Sequence, residues 1–356
     1  MQRFSCPTCN SELHFDNVVC LSCGNSVAYD VKNGTMLVAY SGSWTSPANN
    51  QIISACNNRD LINCNWLVEG QTSKPCLSCS HTVIIPDLSR PENLDRWQRL
   101  ERAKRLLFYS LIKFNLPLEE NTDSQIHQLR FELKADVLTV DGVKIPTVTG
   151  HDNGRITINI EESDDGVREL HRVAMGEPYR TLIGHFRHEI GHYYWDLLVG
   201  EKGDIAQFRA IFGDERESYG DALQRHYASG PPPQWQSKFV TAYASAHPWE
   251  DFAETWAHYF HMVDGLETAE SYNLGELKGN LKQAIGGPYQ EAQFRNLLES
   301  WVPLTVAMNA MNRSIGNHDF YPFVLTDEIS LKLEFVHALI HNQGSTSASV
   351  NSGSGR

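Results

Sequence analysis

Apolar residues recur at helical spacing over three long stretches of the chain. Between about 92 and 114, Leu94, Trp97, Leu100, Leu107, Leu111 and Phe114 keep to one side of a helix, with Pro117 just past its end. Ser89 can cap that helix, and Pro91 and Glu92 suit its first turn. From Arg180 to Leu198, the residues Leu182, Ile183, Phe186, Ile190, Tyr193, Tyr194, Leu197 and Leu198 make a stripe broad enough for a buried helix. From Pro248 onward, Phe252, Trp256, Tyr259 and Val263 form one face. Stripes near 300–340 (Trp301, Leu304, Met308 and Met311, then Leu331, Leu333, Phe335 and Leu339) read as core packing.

Alternation with a period of two appears at Leu129–Leu133 and again at Ile156–Ile160, the second after an Asn153-Gly154 turn. Glu161 to about Arg172 reads as helix, parted from the next by Gly176-Glu-Pro178. Gly230-Pro-Pro-Pro233 is a stiff loop, and from Gly344 the Ser/Gly-rich chain reads as disordered tail.

Composition narrows the class. The chain has 356 residues, 41% hydrophobic, with a net charge of −13, which suits a folded core and argues against a nucleic-acid surface. The local cluster Arg96, Arg99, Arg102, Lys104 and Arg105 reads as a solvated helix face. The N-terminus lacks an apolar signal region, and no apolar run reaches the about 18 residues a membrane span needs. A cytoplasmic location follows as the expectation, and in that compartment the eight cysteines are expected to bind metal rather than form disulfides.

Their spacing supports this. Cys6-x2-Cys9 and Cys20-x2-Cys23 are two knuckles able to close tetrahedrally on one structural zinc. Cys56, Cys64, Cys76 and Cys79 form a second set, with one regular knuckle and with His81 as a substitute ligand. Residues 1–85 are therefore expected to be a small domain stapled by two zinc ions because its apolar core is thin.

The chemistry centres on His188-Glu189-x-x-His192. Four residues apart on a helix, two imidazoles share a face about 5–6 Å apart and can hold one zinc ion. Glu189 is then placed to act as general base. An extended motif would need Gly at 195 and His at 198, where the chain has Trp195 and Leu198. Asp214 or Asp221 remains a second choice of ligand. The favoured third ligand is a glutamate, because Glu250 and Glu254 lie on a face away from the apolar one, and buried carboxylates need a cation.

The order of strands followed by the motif helix is similar to zinc proteases of the thermolysin-like class. There an edge strand above the metal takes the peptide by strand addition; Ile156–Ile160 is the candidate here. The segment Tyr243 to Glu254 resembles the catalytic-helix region of anthrax lethal factor, over about twenty residues. That resemblance implies Tyr243 as a catalytic tyrosine, Glu250 as zinc ligand and Glu254 as a carboxylate supporting a ligand; a swap of Glu250 and Glu254 stays open.

Over nearly the whole chain the sequence resembles a bacterial family of zinc-binding metallopeptidases with an N-terminal zinc ribbon. The matching stretches include Cys64-Asn-Trp-Leu-Val, Ile85-Pro-Asp-Leu-Ser, Gly176-Glu-Pro-Tyr-Arg-Thr, Gly184-His-Phe-Arg-His-Glu and His247-Pro-Trp-Glu-Asp-Phe-Ala-Glu-Thr-Trp-Ala-His. The expected fold is α+β: a zinc-ribbon domain over 1–85, a connecting helix in 86–125, a mostly helical zincin-like domain with a small sheet over 126–343, and a tail from 344 to 356. The expected activity is peptide hydrolysis with one catalytic and two structural zinc ions, a peptide or protein as substrate, and no nucleic acid or membrane as partner. On this reading Glu189 is the base, Tyr243 stabilises the oxyanion and Glu254 fixes the tautomer of a ligand histidine. The alternative is a ribbon-based protein-binding module whose metallopeptidase-like domain is inactive or latent.

Overall fold

The computed structural model describes residues 1–40, 42–70, 74–118, 128–139, 141–174, 180–274 and 287–350, with backbone alone at 138, 171, 174 and 343–350. The Gly176–Pro178 break and residues 351–356 lie outside the described residues. By compactness the chain forms two units. The first comprises Met1–Phe108, Arg130–Thr149 and Thr157–Asp164; the second comprises Tyr109–Leu129, Gly150–Ile156 and Asp165–Arg356.

The first unit holds short antiparallel strands: β1 (Phe4–Ser5) with β2 (Glu12–Leu13), β3 (Val27–Asp30) with β4 (Thr35–Val38), and β5 (Trp44–Thr45), β6 (Ile52–Ala55) and β7 (Leu67–Glu69) in that order. In its N-terminal part a group of rings packs together, Phe4, Phe15, Tyr29 and Trp66, with neighbouring centroids 4.9–6.3 Å apart, and a second apolar cluster gathers Ala28, Trp44, Ile53 and Leu67. Each knuckle turns through a left-handed residue just after its second cysteine, Asn10 (φ 60°) and Gly24 (φ 73°). In the second set, the one-turn helix α1 (Arg59–Ile62) ends on left-handed Asn63 and delivers Cys64, while Cys76 immediately precedes α2 (Leu77–Ser80), which carries Cys79. His81 turns away: its Nδ1 lies 2.7 Å from the Leu77 carbonyl and its ring packs on Phe108.

The expected boundary at residue 85 is not where compactness breaks. Strand β8 (Thr82–Ile84) pairs in parallel with β9 (Arg130–Lys134), and most of the helix α3 (Pro91–Lys113) belongs to the first unit. The basic cluster on α3 is not one solvated face either. Lys104 is fully buried, its Nζ 3.0 Å from Glu101, and Arg105 is 3% exposed; Arg96, Arg99 and Arg102 pair with Asp164, Asp95 and Asp16. Glu101 also accepts from Thr82 and Trp97, so the buried ion pair is set in further hydrogen bonds, as burial of charge requires.

Strand β10 (Val137–Leu138) pairs with β11 (Lys144–Ile145). Strands β12 (Gly150–Asp152) and β13 (Arg155–Asn159) flank Asn153-Gly154, both left-handed as a tight hairpin turn requires. The sheet order is β12-β13-β9-β8. The candidate substrate strand at Ile156–Ile160 is therefore interior, with Ile156, Ile158 and Ile160 buried, and β12 takes the edge.

The second unit is helical: α4 (Asp165–Ala174), α5 (Leu182–Trp195), α6 (Ile205–Phe212), α7 (Tyr219–Ser229), α8 (Pro248–Ser271), α9 (Phe294–Ser314) and α10 (Asp327–Val350). Helix α10 runs through Gly344, where the sequence pattern placed the start of a tail. Its Lys332, 5% exposed, donates to Asp251 and to the Lys238 carbonyl, each at 2.6 Å, tying α10 to the start of α8.

Candidate metal centre

Helices α5 and α8 build the site. Thr181 caps α5 by accepting from the Gly184 amide at 3.0 Å, and the apolar stripe expected there is buried from Phe186 on, with Leu182 and Ile183 only half-buried. His247 caps α8 through its ring Nδ1, which accepts from the Trp249 amide at 3.1 Å, and Pro248 follows where no amide donor is needed. Gly191 sets how closely the helices approach. A β-carbon there would stand 3.0 Å from the Ala253 Cα and 3.2 Å from Trp256, so only glycine lets the backbones meet without displacement.

That approach brings three ligand atoms together. Nε2 of His188 lies 3.2 Å from Nε2 of His192 and 3.0 Å from Oε2 of Glu250, and the His192–Glu250 distance is 3.5 Å. Bonds of about 2.0–2.1 Å to a tetrahedral zinc ion would place its ligand atoms about 3.3 Å apart. Glu250 is 1% exposed, and its Oε2 is buried without a hydrogen-bond partner among the described residues. Burial works against ionisation of Glu250, yet His192 and His188 beside it hold its carboxyl well below the usual range. On His188 burial opposes a positive charge, and Glu250 and Glu254 outweigh it. The field at this point therefore asks for a cation, and the donor set fits zinc.

The supporting residues are close by. His188 Nδ1 is 2.6 Å from Oε1 of Glu254, so its N–H donates there and Nε2 keeps its lone pair. His192 lacks a partner at Nδ1 among the described residues; its ring is instead held by Trp249, 3.7 Å between centroids. Glu189 is 5% exposed and lies 3.3 Å from Nε2 of His185. Burial raises its pKa, and His185, His188 and His192 more than reverse that. Tyr243 stands in a single 3-10 turn (Tyr243–Ala246), its ring 6.0 Å from that of His188.

Asp214 and Asp221, the second-choice ligands, stay apart from this cluster. Asp214 pairs with Arg216 at 2.7 Å, and Asp221 is exposed in the first turn of α7. Sequence reasoning passed over Tyr219, whose hydroxyl donates to Oε1 of Glu250 at 2.5 Å. Its only local signal is Ser218, which caps α7 and fixes where that helix starts. His151 on β12 also approaches, its ring 6.4 Å from His192, and burial pushes its pKa down to about 4.

The two cysteine sets gather as well. Sulfur–sulfur distances are 3.7 Å for Cys6–Cys23 and 3.6 Å for Cys9–Cys20; in the second set they are 3.6 Å for Cys64–Cys76 and 3.8 Å for Cys64–Cys79. Bonds of about 2.3 Å to zinc would space tetrahedral thiolates by about 3.8 Å. Cys56 completes the second cluster, with all four ligand atoms within 4.8 Å of one another.

Comparison with known proteins agrees with this chemistry. Residues 3–90 match a zinc-ribbon domain, and residues 93–339 match a family described as "Putative zinc-binding metallo-peptidase". An uncharacterized protein of Mycobacterium tuberculosis and one of Mycobacterium bovis are each 39% identical over 342 residues, covering 96% of this chain and 95% of theirs. No solved structure matches. Among the described residues no helix is long and apolar enough to cross a membrane. With more than half its length matched, and zinc-type donors gathered in each matched region, the chain belongs to this family of zinc-binding metallopeptidases with an N-terminal zinc ribbon.

Proposed function

We propose that this chain hydrolyses peptide bonds, with His188, His192 and Glu250 holding a catalytic zinc ion and Glu189 as general base. The observation that carries the proposal is the convergence of two imidazole nitrogens and one carboxylate oxygen beside a buried, ionised Glu189. When bound, zinc in such a site would lower the pKa of a water toward ~7 and polarise the scissile carbonyl. Glu189 accepts the proton of that water and passes it to the leaving amine. Glu254 keeps His188 in the tautomer that presents Nε2. Tyr243 acts as a donor to the developing oxyanion: burial, Glu250 and Tyr219 push its pKa far up, so its hydroxyl keeps its proton at any working pH. The two cysteine clusters hold structural zinc, and the ribbons offer a surface for a protein partner.

The test compares the whole proteome after exposure to wild type and to Glu189→Gln. The variant is expected to keep its zinc and to lose 10²–10⁴-fold or more in cleavage, as removal of a general base does. Glu250→Ala is expected to lose the catalytic zinc. Equal cleavage by wild type and Glu189→Gln rejects peptide hydrolysis at this site.

A further inference from the structure

The carboxylate of Glu250 divides its two oxygens. Oε2 faces the histidine nitrogens, while Oε1 accepts from the Tyr219 hydroxyl at 2.5 Å, the length of a short charge-assisted hydrogen bond. Tyr219 comes from α7, 31 residues away in sequence, and no motif joins the two.

What holds the phenol in place is visible. Its ring meets those of His247 and Trp249 edge-on, at 5.3 and 5.7 Å. His247 binds the two parent elements together. Its Nδ1 caps α8, which carries Glu250, and its Nε2–H donates to the Glu217 carbonyl at 3.1 Å, two residues before Tyr219. The tautomer is fixed, because a ring whose Nδ1 accepts must carry its proton on Nε2. Tyr219 is 39% exposed, so the hydrogen bond of its hydroxyl, rather than full burial of the ring, is what ties it to the centre.

We propose that Tyr219 is a positioning residue: by occupying Oε1 it holds Glu250 to one-oxygen coordination, and His247 sets its aim. With Oε1 engaged, the carboxylate plane is fixed and one coordination position stays open for substrate chemistry. Without the phenol, Oε1 is free to swing in as a second donor, which crowds that position. The proposal rests on Glu250 being a ligand of the peptidase centre.

Tyr219→Phe removes a single oxygen and tests this in the zinc-loaded full chain. Zinc affinity, measured by competition with a chromophoric chelator, is expected to fall 10- to 100-fold, the usual range for loss of a ligand's hydrogen-bond partner. Cobalt in place of the catalytic zinc is expected to show a weaker visible band in the variant, as four-coordination gives way to five. Unchanged affinity together with an unchanged cobalt spectrum overturns the proposal. Should Tyr219→Phe not fold, 2,3-difluorotyrosine at 219 keeps the shape while acidifying the hydroxyl; the cobalt band must then shift, and a band that does not move rejects the role.

Neither readout involves a peptide. An inert wild type with normal metal behaviour defeats the peptidase reading and leaves the positioning role standing, whereas metal binding indifferent to Tyr219→Phe defeats the positioning role alone. A chain that takes up no metal at the His188, His192 and Glu250 site overturns both.

Discussion

His258 shows how one imidazole two turns beyond Glu250 makes the second unit sensitive to acid. It is buried, shares a 2.8 Å hydrogen bond with Tyr321 and packs edge-on against Phe323 at 4.4 Å. Burial pushes its pKa down from 6.5 to about 4, with Glu254 opposing. A folded pKa below the unfolded one means that the unfolded chain takes up the proton first. The contribution of neutral His258 is thus present above pH 6.5 and is lost as pH falls from there to about 4. Its upper size is about 3.5 kcal/mol, at about 1.4 kcal/mol for each pH unit. Thermal midpoints recorded between pH 7.5 and 4.5 are expected to fall less steeply for His258→Asn than for wild type, and identical slopes would remove His258 as a cause. At this scale the sequence was legible where chemistry is local. His188, Glu189 and His192 sit on one helical turn, so spacing alone places them. Tyr219 was not legible, because its role comes from a turn of α7 brought beside α8 by His247, which no periodicity records.

Between elements, the decisive contact is α5 on α8 at Gly191. The two histidines come from one helix and Glu250 from the other, so their separation is set where the backbones touch. Gly191→Val places two methyl groups where even a β-carbon is at 3.0 Å from Ala253. Overpacking of this kind costs about 1–3 kcal/mol. The expected outcome is a lower thermal midpoint accompanied by loss of the catalytic zinc, with both cysteine-bound ions retained. A variant that keeps full zinc and stability would show that the helices can part without consequence. The helices α3, α5 and α8 were readable from their apolar stripes, although α5 and α8 are buried on nearly every side, Phe186–Tyr194 and Thr255–Phe260 without a break. The sheet was less so. Ile156–Ile160 alternates as an edge or an interior strand alike, and which it is depends on β12, a three-residue strand too short to leave a pattern.

Across the whole molecule, cysteine spacing suggested a domain closed at residue 85, and the zinc-ribbon match ends close by, at residue 90. By compactness the unit runs on, since β8 pairs with β9 some fifty residues later and α3 falls largely within it. Long-range pairing of this kind has no local signature. Metal content is the matching prediction. Elemental analysis of the purified chain is expected to give three zinc ions, of which a mild chelator removes one first without loss of helical circular dichroism. Removal of zinc from the Cys6, Cys9, Cys20, Cys23 and the Cys56, Cys64, Cys76, Cys79 clusters is expected to unfold the ribbon. Helix loss in step with the first ion would contradict this division of labour.

The 3.0–3.5 Å spacing among the His188, His192 and Glu250 donor atoms bears on which ions can compete. Calcium demands six to eight oxygens at about 2.3–2.6 Å, and magnesium an octahedron of oxygens that it is reluctant to exchange for imidazole. Neither is served by two nitrogens and one oxygen drawn this tightly by helices locked at Gly191. With zinc held there, selectivity against such hard cations would follow from the donor set that the Gly191 contact brings together.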